Sequence, residues 1–251
     1  MNILISNDDG IDSPGIYALA IELKKIANVT VVAPDRQQSA MGHALTISRP
    51  LRVTPFNRNG ELFGYTVNGT PADSVKIALS HVLDIKPDLV VSGINHGKNT
   101  AVNILYSGTV SAATEGLLTG IDSIAFSYDS HSWEKDLSHA ATIAKTIVEK
   151  AHKSKMDTPT LYNVNIPDLP PSNYKGIKVV RQGRSVWEDS FEERKDPWGG
   201  NYYWFSGDYR HIDHDSESDD QSLSEGYVTV TPLKMELTDF SKLEKIKFFN
   251  K

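Results

Sequence analysis

A doubly wound, mostly parallel α/β sheet is the fold this sequence predicts, and three observations predict it. Short apolar runs alternate with stretches of helical pattern. Several of those runs are apolar almost throughout, as strands buried on both faces are. The polar, chemistry-bearing residues fall where such strands end, which is where open α/β sheets bind ligands.

Taken in order, Ile3-Leu4-Ile5 leads a first strand over residues 3–6. Ser13-Pro14-Gly15-Ile16 starts a helix over 14–27, with Ser13 as its cap and Pro14 at the first helical position. Val29-Thr30-Val31-Val32-Ala33 supplies the second strand and completes a βαβ rhythm. An interruption at about 44–67 alternates like a hairpin and is expected to protrude from the core. The rhythm then resumes with a helix over 71–83, the strand Asp88-Leu89-Val90-Val91-Ser92, a helix over 110–118 and a strand over 123–127. A helix over 137–152 and strands over 160–166 and 176–180 extend the same layer. From 181 to 221 the chain is rich in aromatic, Gly, Pro and acidic residues without steady periodicity, and reads as loops or an extending arm before a last strand over 227–231. The expected division is a core over 1–180, hairpin included, and a C-terminal extension over 181–251 belonging to the same functional unit.

The 251 residues suit one large domain or a core with an appendage, and 39% hydrophobic with 23% charged residues is ordinary for a globular protein. No apolar run approaches the roughly 18 residues of a membrane span, and the formal charge of −6 argues against a nucleic-acid polymer as partner. With no cysteine there is no disulfide, thiolate zinc site or cysteine nucleophile, so any metal relies on oxygen and imidazole ligands. The chain opens directly in a core strand and lacks the basic-then-apolar start of a secretory signal; it is expected to be cytoplasmic, with the sequons Asn28-Val29-Thr30 and Asn68-Gly69-Thr70 unglycosylated.

The first strand runs into Asn7-Asp8-Asp9-Gly10. Adjacent carboxylates repel and lose solvation when partly buried, which points to a bound cation, although an acidic loop before a helix start accounts for the same residues. Two further strand ends carry oxygen: Ala33-Pro34-Asp35-Arg36-Gln37-Gln38-Ser39 and Ser92-Gly93-Ile94-Asn95-His96-Gly97. Such a hard, oxygen-rich set suits magnesium or manganese with waters that a phosphate displaces. Tyr106-Ser107-Gly108-Thr109-Val110 places two hydroxyls and a glycine at a helix start, fit for an anion or for nothing more than a cap.

Other motifs fall away. Gly93-Ile94-Asn95-His96-Gly97-Lys98-Asn99 imitates a P-loop, but its glycine spacing is one residue short and Asn99 replaces the required Ser or Thr. Neither a dinucleotide-binding Gly-x-Gly-x-x-Gly after the first strand nor a Gly-x-Ser-x-Gly elbow occurs. The cluster His211, Asp213, His214, Asp215, Asp219 and Asp220 is expected to be a solvated loop rather than a metal site. Trp187, Trp198, Tyr202, Tyr203 and Trp204 suit either base stacking or an aromatic subunit contact.

These residues resemble the survival protein E (SurE) family of metal-dependent nucleotidases. The match runs through the segments above and through Asn68-Gly69-Thr70-Pro71-Ala72-Asp73, Asn163-Val164-Asn165-Ile166-Pro167, Tyr202-Tyr203-Trp204 and Gly226-Tyr227-Val228-Thr229-Val230-Thr231-Pro232-Leu233. The departures are Ala40 and Ser74, where glycine and cysteine are common, and Ser111 with Thr114 in the helix after the phosphate loop. Ala40 follows Ser39 and bears on metal affinity.

The resemblance implies a Rossmann-like three-layer core with a C-terminal extension and hairpin used to form homodimers or homotetramers. It implies one Mg2+ or Mn2+ per subunit on Asp8, Asp9, Ser39 and Asn95, a phosphate facing Asn99, Ser107, Gly108 and Thr109, and catalytic roles for Asp8, Asp9, Asn99 and Ser107. The implied reaction is hydrolysis of nucleoside 5'-monophosphates, extending to 3'-monophosphates and short polyphosphates. Attack by water that the cation activates is favoured over an aspartyl nucleophile, since carboxylates committed to a cation are poorer nucleophiles. The alternative is a metal-dependent nucleotide sensor without turnover.

Overall fold

The structure, a computed structural model, describes every residue except Lys155, Asp213 and Lys251. A nine-stranded sheet organises it. In chain order the elements are β1 (Asn2–Ser6), α1 (Pro14–Leu23), β2 (Asn28–Pro34), β3 (Val53–Arg58), β4 (Glu61–Val67), α2 (Pro71–Ile77), β5 (Leu89–His96), α3 (Asn103–Tyr106), α4 (Gly108–Leu118) and β6 (Asp122–Tyr128). There follow α5 (Ser138–Ser154), β7 (Leu161–Ile166), β8 (Ile177–Val179), β9 (Val186–Lys195), β10 (Asn201–Arg210), α6 (Asp219–Ser224), β11 (Val228–Leu233) and α7 (Phe240–Leu243).

The sheet order is β3-β4-β2-β1-β5-β6-β7-β11-β8. From β4 to β7 neighbours are parallel, while β3 and β11 each run antiparallel to one neighbour. Successive residues of β1 serve opposite faces: Ile3 and Ile5 pack with α1 and α5 residues such as Leu19 and Ala144, whereas Leu4 packs with Val75 and Ala112 of α2 and α4. Burial on both faces is why the strand reads as an unbroken apolar run. The buried side of α1, namely Ile16, Leu19, Ala20 and Leu23, follows helical spacing. Among the described residues no helix is long and apolar enough to cross a membrane.

Three expectations need correction. The hairpin does not protrude: β4 pairs in parallel with β2, Val32 opposite Tyr65 and Pro34 opposite Val67, so the hairpin completes one sheet edge. Burial of Phe63 and Val67 is the gain that draws it in. The helix expected over 14–27 ends at Leu23, and its last residues form a turn in which Ile26 and Ala27 both donate to the Leu23 carbonyl. The aperiodic segment expected as loops or an extending arm contains two ten-residue antiparallel strands, β9 and β10, paired from Val186–Arg210 to Lys195–Asn201. Exposure of nearly every residue of that ribbon removes the one-sided burial that writes alternation into a strand.

Candidate active site

The chain leaves β1 to form β2 on one side and β5 on the other, so a crevice opens at the carboxyl ends of β1 and β5. Asp8 and Asp9 follow β1 after Asn7, and both are buried. Gly10, at φ +92, turns the chain away beside the Arg36 backbone. The Gln38 amide donates to the Asp8 carbonyl at 2.7 Å, which draws the Ser39 loop to the first strand end.

Each carboxylate has a separate support. Thr109 donates its hydroxyl to Asp8 Oδ1. Asp9 Oδ2 faces the amide N–H and the Nδ1 of His96, each at 3.0 Å. The His96 ring in turn stacks on Trp133, with centroids 4.6 Å apart and planes inclined by 8°. Burial first, and the Asp9 charge second, push the Asp8 carboxyl up to about 6. Among the described residues no lysine or arginine pairs with Asp8 or Asp9.

Asn95 lies near the end of β5, where its Nδ2 donates to the Gly97 carbonyl at 2.6 Å and leaves Oδ1 for another partner. Ser39 is exposed, and Ala40 after it sits at φ +57, a left-handed conformation that explains why glycine suits that position. Asp8, Ser39, Asn95, Asn99 and Ser107 all line one open cavity of about 570 Å³. Aromatic walls come from Trp133 and from Trp187 and Tyr209 at the base of the β9–β10 arm.

The side expected to meet an anion is built on the start of α4. Ser107 caps that helix by accepting from the Val110 amide at 3.1 Å. A Cβ at Gly108 would stand 2.7 Å from the Cβ of Asp8, so only glycine brings the helix N-terminus this close to the carboxylates. Thr109 is fully buried and engaged with Asp8, on the carboxylate side of the site. Asn99 is pinned by three neighbours: its amide donates to Asn165 Oδ1 at 2.7 Å, its Nδ2 to Ser127 Oγ at 2.8 Å, and its carbonyl accepts from Asn163 Nδ2 at 2.7 Å.

One expectation about this region is overturned. Asp219 and Asp220, expected in a solvated loop, are fully buried at the start of α6. Burial pushes the Asp219 carboxyl up, against three backbone hydrogen bonds. For Asp220 burial acts upward as well, but the Lys98 hydrogen bond and charge and two hydroxyls outweigh it and hold the group below the usual range. Asp213 of the same acidic cluster lies outside the described residues. Among the described residues no three His, Cys, Asp or Glu side chains gather as a metal-binding group.

Sequence reasoning also missed His96, Ser127, Asn163, Asn165 and Trp133 as supports of the site. A signal existed for two of them. Asparagines two apart within the β7 segment point to the same face of a strand, and polar amides at a buried strand's end need partners.

The model of the family described as "Survival protein SurE" matches residues 3–189. A Chlorobium chlorochromatii protein named 5'-nucleotidase SurE is 47% identical over 96% of this chain and 89% of its own length. One of the same name from Flavobacterium johnsoniae is 41% identical, covering 97% of this chain and 95% of its own. The crystal structure of the SurE protein from Aquifex aeolicus superposes with a TM-score of 0.87 at 40% identity, over 100% of both chains. The chain belongs to the survival protein SurE family.

Proposed function

We propose that the protein is a divalent-metal-dependent 5'-nucleotidase that releases phosphate from nucleoside monophosphates. One observation carries this reading: Asp8, Ser39 and Asn95 share a single cavity with Asn99 and Ser107, at the sheet's switch point. The name shared by the relatives agrees with it.

Asp8, Asp9, Ser39 and Asn95 offer only oxygen, as two carboxylates, a hydroxyl and an amide carbonyl, a hard set that fits Mg2+ or Mn2+. Two adjacent buried carboxylates without a lysine or arginine partner among the described residues supply charge for a dication to neutralise. When bound, the cation polarises a phosphoryl oxygen and offsets the charge that develops there. Ser107 and the Gly108 N–H at the start of α4 hold phosphate oxygens, since the next amides are engaged, Thr109 with Asp8 and Val110 with Ser107. Asn99 Nδ2 gives one hydrogen to Ser127 and keeps the second for the phosphate. Thr109 steadies Asp8 and His96 steadies Asp9, so neither carboxylate is free to approach phosphorus, which favours water as the attacking group.

The extension over 181–251 serves assembly into a homodimer or homotetramer in this reading. Phe191, Trp198, Trp204 and Phe205 of the arm and Phe248 and Phe249 of the tail are exposed in the single chain, and apolar area on that scale is what subunit contacts cover. Nucleoside 3'-monophosphates and short polyphosphates present a similar terminal phosphate and are included as secondary substrates.

Phosphate release from a nucleoside monophosphate panel, before and after exhaustive chelation, tests the proposal. Activity that is lost on chelation and restored by Mg2+ or Mn2+ supports it. Nucleotide binding without release would point to a sensor, and full activity after chelation would exclude the four-ligand site.

A further inference from the structure

Asp220 divides its two oxygens between two parts of the molecule. Oδ1 accepts from Lys98 Nζ at 2.9 Å and Thr100 Oγ1 at 3.0 Å, both on the loop that carries Asn99. Oδ2 accepts from Ser185 Oγ at 2.8 Å and lies 2.8 Å from His211 Nδ1, and these residues flank the arm, one before β9 and one after β10. Asp219 repeats the pattern. It accepts from the Ala101 amide at 3.1 Å on the loop and from the Gly183 amide at 2.8 Å on the approach to the arm.

The loop needs such support. Ala101 sits at φ +49, a left-handed conformation that is unfavourable for a residue with a Cβ. Its carbonyl is held as well, by Gln182 Nε2 at 2.8 Å. Trp187 adds a bond from its indole N–H to Asn103 Oδ1 at 2.7 Å, and the Lys98 ammonium lies 5.2 Å from the Tyr209 ring centroid. Fully buried carboxylates persist where every oxygen is partnered, and both oxygens of Asp220 are.

We infer that Asp219 and Asp220 are positioning residues for the phosphate subsite: together they strap the Asn99 loop to both feet of the β9–β10 arm, so that seating of the arm sets the geometry in which Asn99 meets phosphate. The inference rests on the phosphatase reading for what the loop binds, but the strap is a property of the fold. It acts on the phosphate side and leaves the oxygens of Asp8, Asp9, Ser39 and Asn95 untouched.

Asp220→Asn in the full chain tests it, because the amide keeps the size and loses two of the charge-assisted bonds. The Ki of inorganic phosphate and the KM of the nucleotide should rise together on the order of tenfold, as misplacement of a binding group does. The Mn2+ Kd from calorimetry should stay within about twofold, since the strap's bonds run to the phosphate loop. Amide hydrogen exchange should quicken both over 97–103 and over 183–187. Unchanged Ki and exchange, or a Mn2+ affinity that falls in step with phosphate affinity, would overturn the inference. If Asp220→Asn does not fold, Thr100→Val decides: it removes one bond to Oδ1 at constant shape, and a raised phosphate Ki supports the strap while an unchanged one refutes it. Failure of the wild-type protein to release phosphate from any nucleotide would sink the phosphatase reading, and the exchange comparison would still judge the strap.

Discussion

His96 grips Asp9 twice through one oxygen, with its backbone N–H and its ring Nδ1 both 3.0 Å from Oδ2. That arrangement commits Oδ2 of the carboxylate to His96, whose two bonds fix how Asp9 sits beside Asp8. His96→Ala should therefore weaken Mn2+ binding on the order of tenfold, the usual effect of removing a partner behind a ligand. Calorimetry measures it, and an unchanged Kd would mean that the backbone N–H alone suffices.

The two sides of the cavity should fail in different ways. Asp9→Asn keeps size and removes charge, and should lower kcat roughly a hundredfold or more, with partial rescue by excess Mn2+. Ser107→Ala should raise KM without metal rescue, and should also cost about 1 kcal/mol in stability because Ser107 caps α4. A manganese titration of both variants reads the difference; rescue of Ser107→Ala would show the roles exchanged.

The pH dependence follows from Asp8. Its folded, metal-free carboxyl titrates at about 6 against 3.8 ordinarily, so between those values the folded chain holds a proton that the unfolded chain has released. This contribution to stability is fully present below 3.8 and is lost as the pH rises through about 6. A cation competes with that proton. The rise in Tm that Mn2+ produces should thus be larger at ~pH 7.5 than at ~pH 5, and equal rises would contradict the shift.

Deleting the arm over 186–210 should change the oligomeric state, because its aromatic surface has no cover within one chain. Light scattering on the purified variant is the check. A deletion variant with the same mass per particle relative to its chain as the full protein would move the subunit contact elsewhere.

Ala40→Gly should stabilise the protein by about 1 kcal/mol or less, since relief of the left-handed alanine is partly offset by the freedom glycine has when unfolded. Thermal unfolding reads the sign.

The parallel layer was legible in the sequence because its strands are buried on both faces and its oxygen-bearing side chains fall at strand ends, as Asp8 and Asn95 do. The supports of those residues were not. The contacts of Asp9 with His96 span 87 positions and that of Asp220 with Thr100 spans 120, and no local pattern encodes such pairings. The burial of Asp219 and Asp220 was misread for the same reason: a cluster of acids looks solvated until distant donors are brought to it. The β9–β10 ribbon escaped because it has no buried face to mark its period.

The position of β11 has a consequence for how the molecule is made. This late strand inserts between β7 and β8, antiparallel to the first and parallel to the second. During synthesis β7 therefore waits with one edge open until residues 228–233 leave the ribosome, and β7 carries Asn163 and Asn165, which anchor the Asn99 loop. A nascent chain that already holds Asp8, Ser39 and Asn95 still lacks a settled Asn99 loop, so the cavity is completed with the final strand and not domain by domain along the growing polypeptide.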